Sequence, residues 1–289
     1  MINFRALFMF LAVVLGCSAT VFAQTPPQQR VAVGLRDVID TVEKSFSSDG
    51  ESRYSDDTLF LYDLSADFVQ KTIIAGKTPK EMIADGEFLF KNADYKHREP
   101  LKFRFEYFRP TRHEIVTDGA SLWTYLPANR QVILSDMTSF FDPQYADPSR
   151  NRGFNFLQGL PRISKDFQIS YSPQGRDMNG NYILELTPRQ AMETVEKLFI
   201  VVNKDAVTRY VQNNGRHIIN PNNRGNRMKD LSQLAFPILS TTVIDHKGNA
   251  TVLEFSNIRP NMGLGDLLFT FDIPADVQTV RPPGSTGRR

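Results

Sequence analysis

Phe103-Arg-Phe-Glu-Tyr-Phe-Arg-Pro110 places rings at 103, 105 and 107 and charges at 104 and 106. A period of two belongs to an extended strand, whose successive side chains point to opposite faces. One face of this strand therefore carries three rings in a row, and the other carries Arg104 and Glu106. Pro110 ends it, because proline brings no N–H to a ladder. A second strand over 114–117 runs into Asp118-Gly119, a pair suited to a type I′ turn with positive φ at both central positions. Leu122 to Leu126 returns as a third strand and holds Trp123, the one tryptophan. The result is an antiparallel meander with one aromatic face. That face is either a packed core or the lining of a sheet curled around an apolar ligand, and periodicity admits both.

The rest of the chain must supply the remainder of that sheet. Its 289 residues suffice for one large β-rich domain or two small ones. Lys+Arg count 34 against 32 Asp+Glu, a balance that argues against nucleic acid as a partner. Phenylalanine dominates the aromatics, 22 against 9 Tyr, and Phe has no polar handle, which points to a large apolar interior or cavity.

The start reads as an export signal. Arg5 precedes an apolar run, Ala6 to Gly16, too short to span a bilayer comfortably. Val21-Phe-Ala23 fits cleavage after Ala23. Val14-Leu-Gly-Cys17 is the competing reading, a lipoprotein box that would leave Cys17 lipidated. Cys17 is the only cysteine, so the mature chain is expected to hold no disulfide, thiol nucleophile or cysteine metal site. No later stretch reads as a membrane helix.

Residues 24–32 read as a flexible N-terminus, 33–280 as one domain and 281–289 as a loose tail. Leu35, Val38, Ile39, Val42 and Phe46 fall at helical spacing, predicting an amphipathic helix over 33–46. Strands are expected over 59–70, with Leu64, Ala66 and Phe68 on one side, and over 82–90, with Gly86, Phe88 and Phe90. Another is expected at 131–134. Phe140, Phe141, Phe154, Phe156 and Leu157 lie in a stretch broken by prolines, read as short helices lying across the sheet. Hairpins are expected at 167–187, 198–212 and 239–257, and a last strand over 267–273. The stretches 47–57 and 213–230 read as polar loops. About ten short antiparallel strands in one sheet tend to curl. The expected fold is mainly β with helices (α+β): an incomplete antiparallel barrel with helices over its concave apolar face.

Catalytic signatures do not emerge. His97, His113, His217 and His246 stand apart, and neither a nucleophile elbow nor a phosphate-binding loop occurs. No metal or cofactor is expected.

Several motifs, in this order and spacing, resemble those of the periplasmic outer-membrane lipoprotein carriers, the LolA-type family. They are Leu64-Ser-Ala-Asp-Phe-Val-Gln70, Gly86-Glu-Phe-Leu-Phe90, the stretch 103–110, Val116-Thr-Asp-Gly119, Leu122-Trp-Thr-Tyr-Leu-Pro127, Leu184-Glu-Leu-Thr-Pro188 and Asp266 to Pro274. The resemblance implies an incomplete barrel with a helical lid. It also implies a non-enzymatic carrier that takes acylated lipoproteins from an inner-membrane ABC-type release complex and hands them to an outer-membrane receptor. Acyl-chain lining is then expected from Phe88, Phe90, Phe103, Phe105, Tyr107, Trp123, Phe140, Phe141, Phe154, Phe156 and Leu157. Phe103 matches a family position near the cavity mouth and the release-complex contact. The family's latch arginine directly precedes the proline that opens the aromatic strand. Here Glu99 precedes Pro100, so Arg98 or Arg104 are the candidates for that role. A membrane-anchored receptor of the same fold, lipidated at Cys17, is the alternative. A periplasmic hydrolase is a third reading.

Overall fold

The computed structural model describes residues 32–46, 61–93, 99–136, 160–192, 195–212 and 236–281. The leader, the loops at 47–57 and 213–230, Arg98 and the Phe140–Leu157 stretch lie outside them.

Among the described residues twelve strands form one sheet. They are β1 (Asp63–Ile74), β2 (Lys80–Lys91), β3 (Lys102–Arg109), β4 (His113–Thr117), β5 (Ser121–Leu126), β6 (Gln131–Asp136), β7 (Phe167–Arg176), β8 (Tyr182–Pro188), β9 (Lys197–Val202), β10 (Ile238–Ile244), β11 (Ala250–Pro260) and β12 (Gln278–Val280). Their order is β12-β6-β5-β4-β3-β2-β1-β11-β10-β9-β8-β7, so the sheet runs from edge to edge without closing. Pairing is antiparallel except between β12 and β6, which lie parallel. This is the open, incomplete barrel expected, with more strands than the sequence pattern counted.

Among the described residues three α-helices accompany the sheet: α1 (Leu35–Phe46), α2 (Ile163–Asp166) and α3 (Lys204–Gln212). α1 buries Val38, Ile39, Val42 and Phe46, one stripe at helical spacing, in the core shared with the sheet. It also packs against α2, α3 and the short turn Leu160–Arg162.

α3 replaces a strand expected over 207–212. Ala206, Val207 and Tyr210 are its buried residues, a spacing that suits one helical face. Asn203 supplies the missing start signal. Its Oδ1 accepts the amides of Asp205 at 2.8 Å and Ala206 at 3.3 Å, a side-chain N-cap. The strand expected over 267–273 is also absent. Asp266–Phe269 is one 3-10 turn, and of its alternating apolar residues only Phe269 is buried.

Two hairpin turns use one hydrogen-bond pattern. In Asp177-Met-Asn-Gly-Asn181 the Asp177 carboxylate accepts the amides of Asn179 and Asn181 and the side-chain amide of Asn181. In Asp245-His-Lys-Gly-Asn249 the Asp245 carboxylate accepts the same three donors, from Lys247 and Asn249. Gly180 and Gly248 take positive φ, 82° and 77°, a conformation glycine adopts without steric cost.

Candidate functional site

Directly opposed residues of an antiparallel pair share a face, so the registers lay out the inner face as a grid. One row runs Leu64, Phe90, Phe103, Thr117, Leu122. The next runs Ala66, Phe88, Phe105, Ile115, Thr124. A third runs Phe255, Phe68, Gly86, Tyr107, His113. Beyond β11 the same face becomes aliphatic, with Ile200 opposite Leu184 and Leu198 opposite Leu186. The floor is therefore ring-rich from β11 to β3 and mostly branched-chain over β8 and β9, with Tyr171 of β7 and Tyr182 of β8 as rings on the same face.

The aromatic rows interlock. Phe88 and Phe105 lie 4.3 Å apart between ring centroids, and Phe103 meets Phe105 edge-on at 5.9 Å. Gly86 sits between two rings of its row. With no side chain there, Phe68 and Tyr107 close across it to 4.9 Å. A Cβ on Gly86 would fall 1.9 Å from the Glu106 carbonyl oxygen and 3.0 Å from the Phe68 ring.

The expected residues Phe88, Phe90, Phe103, Phe105 and Tyr107 thus come together, and all are buried. The floor is covered: Phe46 of α1 stands edge-on to Phe90 and to Phe236, and Phe236 stands edge-on to Phe255. Its polar content is small. The Tyr107 hydroxyl donates to Gln70 Oε1 at 2.9 Å, and burial pushes its pKa up to about 12, so the ring stays neutral. His113 stacks on Tyr107, 3.9 Å between centroids.

Trp123 does not belong to this floor. It opposes Val116, which opposes Arg104, and these point to the outer face. Parity showed that Trp123 and Tyr125 share a side. The register, with Thr117 opposite both Phe103 and Leu122, puts Leu122 inward instead.

Arg104 is on that outer face too, and its partners differ from those of a lid latch. It pairs with Glu114 and donates to the Leu268 carbonyl at 3.4 Å. Glu114's pKa is raised by burial, against the pull of the Arg104 guanidinium.

What Arg104 holds is the C-terminal segment, which crosses the outer face. Asp63, buried, accepts the amides of Met262, Gly263 and Leu264 and so starts the crossing. Lys91 and Lys102 clamp Asp266 at 2.6 and 2.9 Å. Phe271 packs on Tyr125, 5.3 Å between centroids. Phe269, Val116 and Val132 are fully buried but stand outside the main core cluster. Sequence reading missed this second, smaller apolar layer. The run of valines and aromatics on the outward parity of 116–132 was its signal.

The site offers little to polar chemistry. Among the described residues no group of three or more His, Cys, Asp and Glu is placed to hold a metal. His246 Nε2 lies 2.7 Å from the Met192 carbonyl oxygen, a backbone contact. Among the same residues no helix is long and apolar enough to cross a membrane.

The described residues thus form an unclosed sheet whose aromatic inner face is packed beneath α1. The family profile of the outer membrane lipoprotein carrier protein LolA matches residues 61–213, and the chain belongs to that family. The outer-membrane lipoprotein carrier protein of Albidiferax ferrireducens is 24% identical over 219 residues, which are 75% of this chain and 83% of that one. Among solved structures, a DUF1329 family protein of Desulfovibrio piger matches at TM-score 0.42 and 19% identity, over 83% of this chain and 98% of its own. A LolA superfamily protein of Nitrosomonas europaea matches at TM-score 0.35 and 16% identity, over 83% and 99%. The MucA/MucB complex of Pseudomonas aeruginosa matches at TM-score 0.39 and 13% identity, over 86% and 68%. Scores this low mark distant likenesses only.

Proposed function

We propose that the protein is a periplasmic carrier that shelters the acyl chains of lipoproteins on its inner face. In this reading the leader is cleaved after Ala23, and residues 33–280 act as one carrier domain. Cargo comes from an inner-membrane ABC-type release complex and passes to an outer-membrane receptor. The protein binds and releases without catalysing a reaction.

The observation that carries this reading is the charge-free floor of Phe88, Phe90, Phe103 and Phe105, in a chain of the lipoprotein carrier family. Each methylene taken from water is worth about 0.8 kcal/mol, so several acyl chains sum to tens of kcal/mol and cannot cross water unaided. A floor of rings and branched chains replaces lipid contacts without hydrogen bonds that would have to break on release. The rings are covered, so loading requires α1 to lift. Phe140, Phe141, Phe154, Phe156 and Leu157 join the lining in this reading, and Arg98 remains the candidate latch.

Native mass spectrometry of protein purified from its host's periplasm tests the reading. Co-purified acylated polypeptide is the expected result. An empty protein that ignores lipoproteins released from membrane vesicles would overturn it.

A further inference from the structure

The β1–β2 hairpin reaches past its neighbour. β3 ends at Arg109, opposite Asp85, so Lys80 to Ala84 of β2 extend beyond it. Every residue from Ile74 to Ile83 is exposed. Three are large and apolar: Ile74, Met82 and Ile83, at 41%, 51% and 57% exposure. They occupy both faces of the ribbon. Met82 opposes Thr72, on the side of Phe68, and Ile83 opposes Lys71, on the other. A protein groove would cover one face of such a ribbon; immersion in a fluid interface covers both.

The charge around this tip is net positive. Lys77 and Lys80 are exposed at the turn. The β10–β11 turn sits against it, with Asn249 Oδ1 accepting the Ala75 amide at 2.9 Å, and adds Lys247. None of these three ammonium groups has an ion-pair partner among the described residues. The acids beside them are occupied: Glu81 by Lys71 at 2.9 Å, Asp85 by Arg109 at 2.8 Å, and Asp245 by the amides of its own turn. Glu196, exposed at the head of β9, offsets one lysine and leaves the cluster positive.

We propose that this tip docks the protein on an anionic lipid bilayer, with Ile74, Met82 and Ile83 entering the interface and Lys77, Lys80 and Lys247 meeting lipid phosphates. Lysine suits the rim because its aliphatic stem can lie along apolar surface while its head stays at the phosphates. Ile74 and Met82 lie on the inner parity, in line with Phe68, so docking sets the floor end-on to the membrane. The docking is distinct from acyl-chain carriage and operates in ligand-free protein.

Flotation of ligand-free protein with synthetic vesicles tests it. Binding is expected to vesicles containing phosphatidylglycerol, to weaken in high salt and to be slight with pure phosphatidylcholine. Each lysine near such a surface is worth about fivefold in partitioning, so the triple variant Lys77→Glu, Lys80→Glu, Lys247→Glu should lose about a hundredfold or more. The variant Ile74→Ser, Met82→Ser, Ile83→Ser should also release the protein. All six positions are solvent-facing, so both variants should keep the wild-type melting temperature, which is measured alongside. Wild-type protein that does not float, or variants that float like it, would overturn the proposal. So would a dimer abolished by Ile83→Ser in protein that ignores vesicles.

Discussion

Phe46 of α1 meets Phe90 of β2 edge to face, with ring centroids 6.1 Å apart and planes at 75°. That contact sets the end of the helix on the aromatic floor. Around it, Asn92 donates its side-chain amide to the carbonyls of Phe46 and Leu61 at 3.1 and 3.0 Å, tying the helix end to the sheet.

Replacing Phe46 by alanine should cost about 3–5 kcal/mol of stability, the usual range for a fully buried phenylalanine. In the carrier reading it should also raise the on-rate of a fluorescent fatty acid, because the cover lifts more readily. Urea midpoints and stopped-flow binding measure the two effects. A loss below about 1 kcal/mol would show that the helix is seated elsewhere.

Gly86→Ala should be more damaging than its single methyl suggests. The added carbon would stand 1.9 Å from a carbonyl oxygen on β3, so the strands must part and the Phe68–Tyr107 contact must open. A loss of about 3 kcal/mol or more is expected, at or above the top of the usual overpacking range. Near-neutral unfolding data for this variant would contradict the register of β2 on β3.

Arg104→Ala separates the two faces of the sheet. Removing the guanidinium leaves Glu114, already raised by burial, without its cation, at a cost of about 1–3 kcal/mol. A carboxyl whose folded pKa lies above its unfolded value weakens the fold as pH rises through both. The defect should therefore be largest at neutral pH and shrink in acid, where Glu114 is protonated. Fatty-acid affinity should stay unchanged, because Arg104 faces away from the floor; a large change would restore it as a latch.

Asp266 gives the opposite slope. Hydrogen bonds from Lys91 and then Lys102 hold its carboxyl below the ordinary range, against a smaller effect of burial. Its contribution is present above the unfolded aspartate pKa, roughly 3.9, and is lost as pH falls through the lower folded value. The side chain is 58% exposed, so screening limits the contribution to under about 1 kcal/mol. Asp266→Asn should unfold at lower urea than wild type at neutral pH and converge with it in strong acid. Limited proteolysis within 265–281 should speed up in the variant.

Much of this was legible in the alternation of side chains. Phe103, Phe105 and Tyr107 face inward with Phe88, Phe90 and Phe68, as their parity implied. Parity names which residues share a side; it does not say which side is inward. For Trp123 that depended on the pairing of Thr117 with both Phe103 and Leu122, a long-range fact. The residues 204–212 are short enough for either period, and the Asn203 cap was the deciding signal. Leu267 to Ile273 alternates without being a strand, because the Lys91 and Lys102 clamp on Asp266 and the 3-10 turn hold that segment across the sheet instead of in it.

β1 lies between β2, its neighbour in sequence, and β11, which arrives near the end of the chain. The Asn261 side chain then holds the Tyr62 amide across 199 residues. The middle of the sheet consequently cannot zip up on the ribosome until residues 250–260 have emerged. In the carrier reading proposed above, where the chain is exported, such lateness would keep it threadable through a translocation pore until it completes itself on the far side.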